Sequence, residues 1–350
     1  MSEEQNREEV DSNVDEVMIV ADPGQTPIRI DKYLQDKMQG VTRSKIQNAI
    51  KAGSVEVGGK KVKSNYKVRP NDEIQVILPK PIKWGETIVP QDIPLDIRYE
   101  DDDLMVIHKS AGMVVHPGVG NHDGTLVNAL AGYFGGSNLP TSGSNSIDRM
   151  GLVHRLDKDT SGLLVIGKTE FALSHLAQQF FKHTIDREYL ALVWGEPDPP
   201  KATIQSYLGR SLTNRTQYTV VEDELMGKHA ITHYETYKQL FYVSLIKCKL
   251  ETGRTHQIRV HMKHRGHPIF NDEKYGGDKI VKGTVFNKYK QFVLNCFDLC
   301  QRQALHARFL GFTHPVTGER MEFEAEMPED MQAVMKKWAS YIDSRKELIG

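Results

Sequence analysis

The chain has 350 residues, 39% hydrophobic and 26% charged, with 45 basic and 46 acidic side chains. That is enough for a large core and more than one domain. No apolar run approaches the ~20 residues that span a bilayer, and the acidic start does not read as a secretory signal. Three cysteines, Cys248, Cys296 and Cys300, are too few for a disulfide framework and predict a reducing, cytoplasmic setting.

The near-neutral total hides a segregation. Residues 1–25 carry one basic and eight acidic side chains, whereas residues 26–80 carry twelve basic and five acidic ones. A disordered acidic leader over 1–25, followed by a polyanion-binding module, accounts for this; a solvated surface with no partner is the alternative on charge alone. In "RIDKYLQDKM", Ile30, Tyr33, Leu34 and Met38 recur at helical spacing. "TRSKIQNAIKAG" adds a second helix that Thr42 can cap and Gly53 ends. "SVEVGGKKV" reads as a hairpin around Gly58 and Gly59, and "NYKVRPNDEIQVIL" as a turn and a strand. These elements define a small unit over 26–78, and the proline-rich stretch 79–96 reads as a linker.

The remainder, 97–350, is predicted as a second domain. "DLMVIHKSAGMVVHPG" reads as two short strands around Gly112, "GTLVNALAGYF" as a helix, and "GGSNLPTSGSNSIDRMG" as an exposed loop. A strand "GLLVIGKT" and a helix through Leu173, Leu176 and Phe180 follow, then strands in "EYLALVWG", "HAITHYETYKQL" and "YVSLIKCKLET". A helix starts near Thr255, and another closes the chain from "PEDMQ" onwards. Strands dominate without a βαβα rhythm. The fold class is therefore α+β, with a mostly antiparallel, mixed sheet.

Two clusters can carry chemistry. "GLVHRLDKDTSG" sets Asp157 among Arg155, His154 and Lys158, between apolar flanks. Desolvation alone would neutralise such a carboxylate, so a nucleophilic Asp157 needs a nearby cation; an Asx-turn between strands is the plain alternative. "LETGRTHQIRVHMKHRGHP" places Gln257 and His261 on one helix face and Arg259 and Lys263 on another. His256, His261, His264 and His267 match no zinc-enzyme spacing, and Cys296 and Cys300 lack two further ligands, so no metal site is predicted. A cationic surface for phosphates, or an arginine that completes a carboxylate pair, fits this helix better. Tyr189, in "REYLALVWG", reads by itself as a half-buried strand tyrosine. No glycine-rich nucleotide motif is present.

With those residues in place, the sequence resembles the RluA-type family of pseudouridine synthases, and within it the RluD-like branch, from about Thr26 to Asp330. "HRLDKDTSG" carries the resemblance, joined in order by "VVHPGVGNHDGTLVNAL", "REYLALVWG", "LETGRTHQIRVHM" and "RQALHA". Residues 26–78 resemble an S4 RNA-binding domain. The leader, the loop 135–150 and the stretch 278–301 fall outside the minimal pattern. The resemblance implies a pseudouridine synthase catalytic domain that isomerises uridine in RNA by base flipping, with no cofactor. It implies Asp157 as the essential aspartate, Arg259 as its partner and Tyr189 as the active-site tyrosine, packed on uracil or helping to remove the C5 proton. It implies Arg155 as the residue that holds the vacated position of the flipped nucleotide. Arg29, Lys32, Arg43, Lys45, Lys51, Lys60 and Lys61 become the expected phosphate-binding residues of the S4-like unit. The expected substrate is large-subunit ribosomal RNA. The alternatives are transfer RNA and a catalytically silent RNA-binding, ribosome-assembly protein. A monomer is expected, because one chain supplies every active-site piece.

Overall fold

A computed structural model describes residues 14–38, 40–79, 88–118, 120–135 and 151–349. The N-terminal unit runs β1 (Val14–Val20), β2 (Ile28–Arg29), α1 (Ile30–Lys37), α2 (Arg43–Lys51), β3 (Val55–Val57), β4 (Lys60–Lys61), β5 (Lys67–Val68) and β6 (Glu73–Pro79). The predicted disordered leader is corrected here, because its last part is strand β1. Counting charge passed over five apolar side chains in Val14–Val20, four of them β-branched, which suit a pleated surface. β1 pairs antiparallel with β6, from Val14 opposite Pro79 to Val20 opposite Glu73, in a sheet ordered β1-β6-β3-β4. Residues 1–13 lie outside the described residues.

The two predicted helices form as read. The Thr42 side chain accepts from the Lys45 backbone N–H and caps α2. Ile30, Leu34, Ile46, Ala49 and Ile50 bury their stripes against Val55, Ile74 and Val76.

The second domain runs β7 (Asp96–Glu100), β8 (Leu104–Lys109), α3 (Leu126–Tyr133), β9 (Ser161–Gly167), α4 (Glu170–Phe181), β10 (Asp186–Trp194), β11 (Lys201–Arg210), β12 (Tyr218–Val221), β13 (Lys228–Leu240), β14 (Val243–Leu250), α5 (Gln257–His264), α6 (Asn287–Phe297), β15 (Leu305–Thr313), β16 (Arg320–Glu324) and α7 (Glu329–Ile349). One sheet is ordered β12-β11-β13-β14-β10-β15-β9-β8-β7, with β16 on β15. Its pairs are antiparallel except β15 with β9. This is the predicted α+β class with a mixed sheet.

Strands β8 and β9 are apolar on both faces because both faces are covered. Met105, Ile107, Leu164 and Ile166 pack with Leu126 and Leu130 of α3. Leu104, Val106, Leu163 and Val165 pack with Leu173 and Leu176 of α4. The stretch after Gly112 departs from its predicted strand: Val114 and Val115 offer their carbonyls to the first N–H groups of α3. Within the predicted linker, Ile88 is buried in the core and the Val89 carbonyl accepts from Asn128 of α3. Residues 80–87 and the loop 136–150 lie outside the described residues. Cys296 and Cys300, dismissed as zinc ligands, are buried among the apolar side chains where α6 and α7 meet Trp194 and Trp338. Among the described residues, no helix is long and apolar enough to cross a membrane.

The N-terminal unit docks on α4. Val14 and Ile77 join the apolar cluster of that helix. Gln178 donates to the Gly53 carbonyl, Ser54 Oγ donates to the Ser174 carbonyl at 3.2 Å, and Lys182 pairs with Glu56 at 2.6 Å. Docking in turn sets β1 at the rim of the cleft described next.

Candidate active site

The loop Leu156–Thr160 precedes β9, and its backbone is fixed from beneath by two cations. Lys109, almost fully buried, donates from Nζ to the carbonyls of Ser110 and Met113 at 2.8 Å and of Lys158 at 2.9 Å. Burial draws its pKa down to about 7. Three carbonyl acceptors, however, match the three N–H donors of an ammonium and favour the charged form. Arg302 Nη1 donates to the Asp159 carbonyl at 3.0 Å, while its Nε holds Asp330 at 2.7 Å. His154 is not a cation for Asp157. Its Nε2 accepts from the Val165 N–H at 3.0 Å, and burial lowers its pKa to about 3, so it is neutral at pH 7.

The cation comes instead from α5, 102 residues downstream. Arg259 Nη1 donates to Asp157 Oδ2 at 2.9 Å. Burial pushes the Asp157 carboxyl up, but the charges of His256 and Arg259 and the Arg259 hydrogen bond pull it down to about 2. His256 itself is held neutral at pH 7, at about 4 and chiefly by burial, so at that pH the positive charge is that of Arg259. His256 Nε2 lies 3.9 Å from Asp157 Oδ1, the carboxylate oxygen that Arg259 does not hold.

Asp272 is the residue the sequence did not reveal. It is fully buried and grips the same guanidinium at Oδ2 and Oδ1, from Nε at 2.7 Å and Nη2 at 2.9 Å. The Tyr275 ring lies 5.0 Å from the guanidinium carbon. The fork therefore bridges two carboxylates over an aromatic face, a geometry that lysine cannot reproduce. Nothing in "HPIFNDEKYGG" singles out Asp272, since the pairing is made by the turn after α5 and not by local spacing.

Tyr189, 8% exposed on β10, lines the cleft beside Asp157, and burial raises its pKa, which keeps the phenol protonated. Arg155 is exposed at the junction of this cleft, about 520 Å³, with a second groove of about 1210 Å³ that Lys158, Arg210, Arg215 and Lys274 also line. Asp157, Arg259, Tyr189 and Arg155 are thus brought together from three distant segments. Two further histidines of the α5 stretch are hydrogen-bonded away from Asp157. His261 is hydrogen-bonded to Thr232 and Ser206, and His267 to the Trp194 carbonyl. The one metal-like cluster among the described residues, Asp101, Asp103 and His314, is spent on internal hydrogen bonds: Asp101 accepts from Tyr99 and from the Asp103 and Leu104 N–H groups, and its Oδ2 lies 2.9 Å from His314.

In the N-terminal unit, Lys32, Lys51, Lys60 and Lys61 are exposed. Arg29 and Arg43 share the fully buried Asp31, at 3.0 and 2.8 Å, which fixes both guanidinium groups while leaving them about two-fifths exposed. Lys45 is the exception. It lies half-buried at the junction with the second domain, 3.9 Å from Glu170 of α4, and does not belong to the solvent-facing set.

A paired, ionised aspartate in a cleft bordered by β1 of the N-terminal unit is a candidate centre for carboxylate chemistry. Residues 103–264 match the pattern of the RNA pseudouridylate synthases, and residues 28–74 that of the S4 domain. The chain is 47% identical over 318 residues to an uncharacterized RNA pseudouridine synthase of Chlorobaculum parvum, covering 89% of this chain and 94% of that one. It is 44% identical over 310 residues to the ribosomal large subunit pseudouridine synthase D of Zymomonas mobilis, covering 88% and 93%. The human RNA pseudouridylate synthase domain containing 1 shares the fold, with a TM-score of 0.50 and 24% identity over 72% of this chain and 90% of that one. The chain belongs to the RNA pseudouridine synthase family, and it is an isomerase of uridine in RNA with an S4 domain at its N-terminal end.

Proposed function

We propose that the enzyme acts on large-subunit ribosomal RNA as a cytoplasmic monomer, with Asp157 as its nucleophile. The observation that carries the mechanism is the Asp157–Arg259 pair at 2.9 Å, which keeps a desolvated carboxylate ionised at the base of the cleft. Support for the RNA class comes from relatives named as large-subunit synthases in Zymomonas, Xanthomonas and Vibrio at 40–44% identity.

A uridine must leave its stack to reach this carboxylate, and unstacking costs a few kcal/mol. Arg155, exposed at the mouth, takes the vacated position. Asp157 then captures or stabilises the ribose C1′ as the bond from C1′ to N1 breaks. The uracil turns, C5 bonds to C1′, and the C5 proton leaves as N1 gains one. The atoms balance without oxidant or co-substrate. Tyr189, kept protonated by burial, packs against the uracil, which suits its apolar surroundings better than service as an ionised base. Arg29, Lys32, Arg43, Lys51, Lys60 and Lys61 hold phosphates outside the cleft.

The test is to incubate purified protein with large-subunit ribosomal RNA and with transfer RNA, then map pseudouridine chemically. New sites confined to ribosomal RNA support the assignment. Sites confined to transfer RNA would overturn it.

A further inference from the structure

The cleft extends beyond Tyr189 to a second buried cation. Arg187 precedes Tyr189 by two residues on β10, so both side chains leave the same face of the strand. Arg187 is 8% exposed and lines the cleft together with His183, Lys228 and Arg254. Its guanidinium is closely walled. The Phe180 ring lies 5.3 Å below it, and Gly253 leaves the space in which a Cβ would stand 2.6 Å from Nη1.

What this guanidinium lacks is a counter-ion. Nη2 donates to the Glu251 carbonyl at 3.3 Å, and Nε has no partner. Among the described residues, no carboxylate lies within ion-pair distance of it. The other buried arginine of the cleft, Arg259, holds two. His154 beside it is neutral and already accepts from Val165. Asp15 and Glu16 of β1, which also line the cleft, form no ion pair with Arg187. Arginine does not deprotonate in proteins, and an uncompensated buried charge is strongly destabilising. Such a cost is offset when the counter-ion arrives with the ligand.

We propose that Arg187 is a phosphate site: it receives the phosphodiester that adjoins the flipped uridine. The inference rests on the isomerase reading of the cleft. RNA is the ligand of this cleft, and each nucleotide that enters brings one anionic phosphodiester with it. Arg187 offers the unpartnered Nε–H, on the side of the guanidinium it shares with Nη2, to an oxygen of such a group. Pairing there couples base extrusion to the neutralisation of a buried charge, so the site contributes to flipping as well as to affinity. Positions outside the cleft cannot do this, because their lysines and arginines are already solvated.

The test is a binding cycle on the full-length protein. The probe is a stem–loop RNA with a single uridine in its loop, made with ordinary linkages or with an uncharged methylphosphonate on the 5′ or 3′ side of that uridine. One of the two replacements should weaken binding to the wild type by about tenfold or more, the effect of removing a charge-assisted hydrogen bond. Arg187→Gln should weaken the ordinary RNA to a similar extent and be indifferent to that same replacement. The methylphosphonate arm reads the wild type alone, so it stands even if the variant folds poorly. If neither replacement affects the wild type, or if the losses from Arg187→Gln and from the replacement multiply, the phosphate site is wrong. Isomerisation of the same loop uridine is measured in parallel. Loss of turnover with the binding cycle intact would fault the isomerase reading and leave the phosphate site standing.

Discussion

At the scale of single residues, the chemistry depends on which charges are allowed to remain in a dry place. Asp157 stays ionised because Arg259 does, and Arg259 stays in place because Asp272 and Tyr275 hold its other side. A carboxylate depressed to about 2 contributes stability that is present above its unfolded value, near 3.8, and is lost as pH falls towards 2. Between pH 5 and 8 the wild-type rate should therefore show no acid limb from Asp157. Arg259→Lys keeps one charge but cannot fork to both carboxylates. Burial should then raise the Asp157 pKa, and kcat should fall at least tenfold, with an acid limb entering a pH–rate profile recorded from 4 to 8. A variant profile as flat as the wild type would show that Arg259 does not tune Asp157. "HRLDKDTSG" points to Asp157 through its resemblance to the family motif, whereas its crowded charges alone leave a turn aspartate equally open. The choice of cation is harder to read: His154 and Lys158 are closer in sequence, and only the fold shows His154 bonded away to Val165.

At the scale of elements, local pattern serves wherever an element can be specified by its own residues. α1, α2, α3, α4 and β8 to β10 follow from helical spacing, caps and apolar runs. β11, β12, β15 and β16 were not legible, since their alternation is broken by polar side chains and their pairing is decided by distant neighbours. α6 was hidden in a stretch that reads as an insertion, and it buries only Tyr289, Val293 and Cys296. The last residue of the catalytic motif shows how an element enforces a sequence. Gly162 has φ +126°, and a Cβ there would stand 2.2 Å from the Ala307 carbonyl oxygen, at the parallel join of β9 and β15. Gly162→Ala should cost about 3 kcal/mol, from backbone strain and overpacking together. A urea titration reads this directly, and a midpoint within error of the wild type would refute the close approach.

At the scale of the whole molecule, the S4 domain is part of the catalytic body and not a tethered accessory. Its Val14 and Ile77 cover the apolar face of α4, so removing residues 1–80 would expose that face and confuse folding with binding. The cleaner probe replaces Lys32, Lys51 and Lys60 together with glutamine. The log–log salt slope of RNA binding should flatten by roughly 0.7–0.9 for each phosphate that these lysines no longer neutralise, and the melting temperature should hold. An unchanged slope would remove these lysines from the RNA path. Buried histidines set a second global property. His154 is lowered to about 3, and His256, His261 and His306 to about 4, from an ordinary 6.5. Between pH 6.5 and 4 the unfolded chain binds more protons than the folded one, so stability should fall with acid by about 1 kcal/mol per pH unit for each such group. Denaturant titrations at pH 7 and pH 5 measure this, and equal stabilities would contradict the neutral, buried assignment.

The most direct test of the central claim is a chemical map of pseudouridine in ribosomal and transfer RNA from cells with and without this gene, with rescue by wild type and by Asp157→Asn. We predict that defined large-subunit ribosomal sites vanish without the gene, return with the wild type and stay absent with the variant, which should bind RNA within a few-fold of the wild type. Return of those sites with Asp157→Asn would contradict the assignment of Asp157 as the nucleophile, and an unchanged map would contradict the ribosomal substrate.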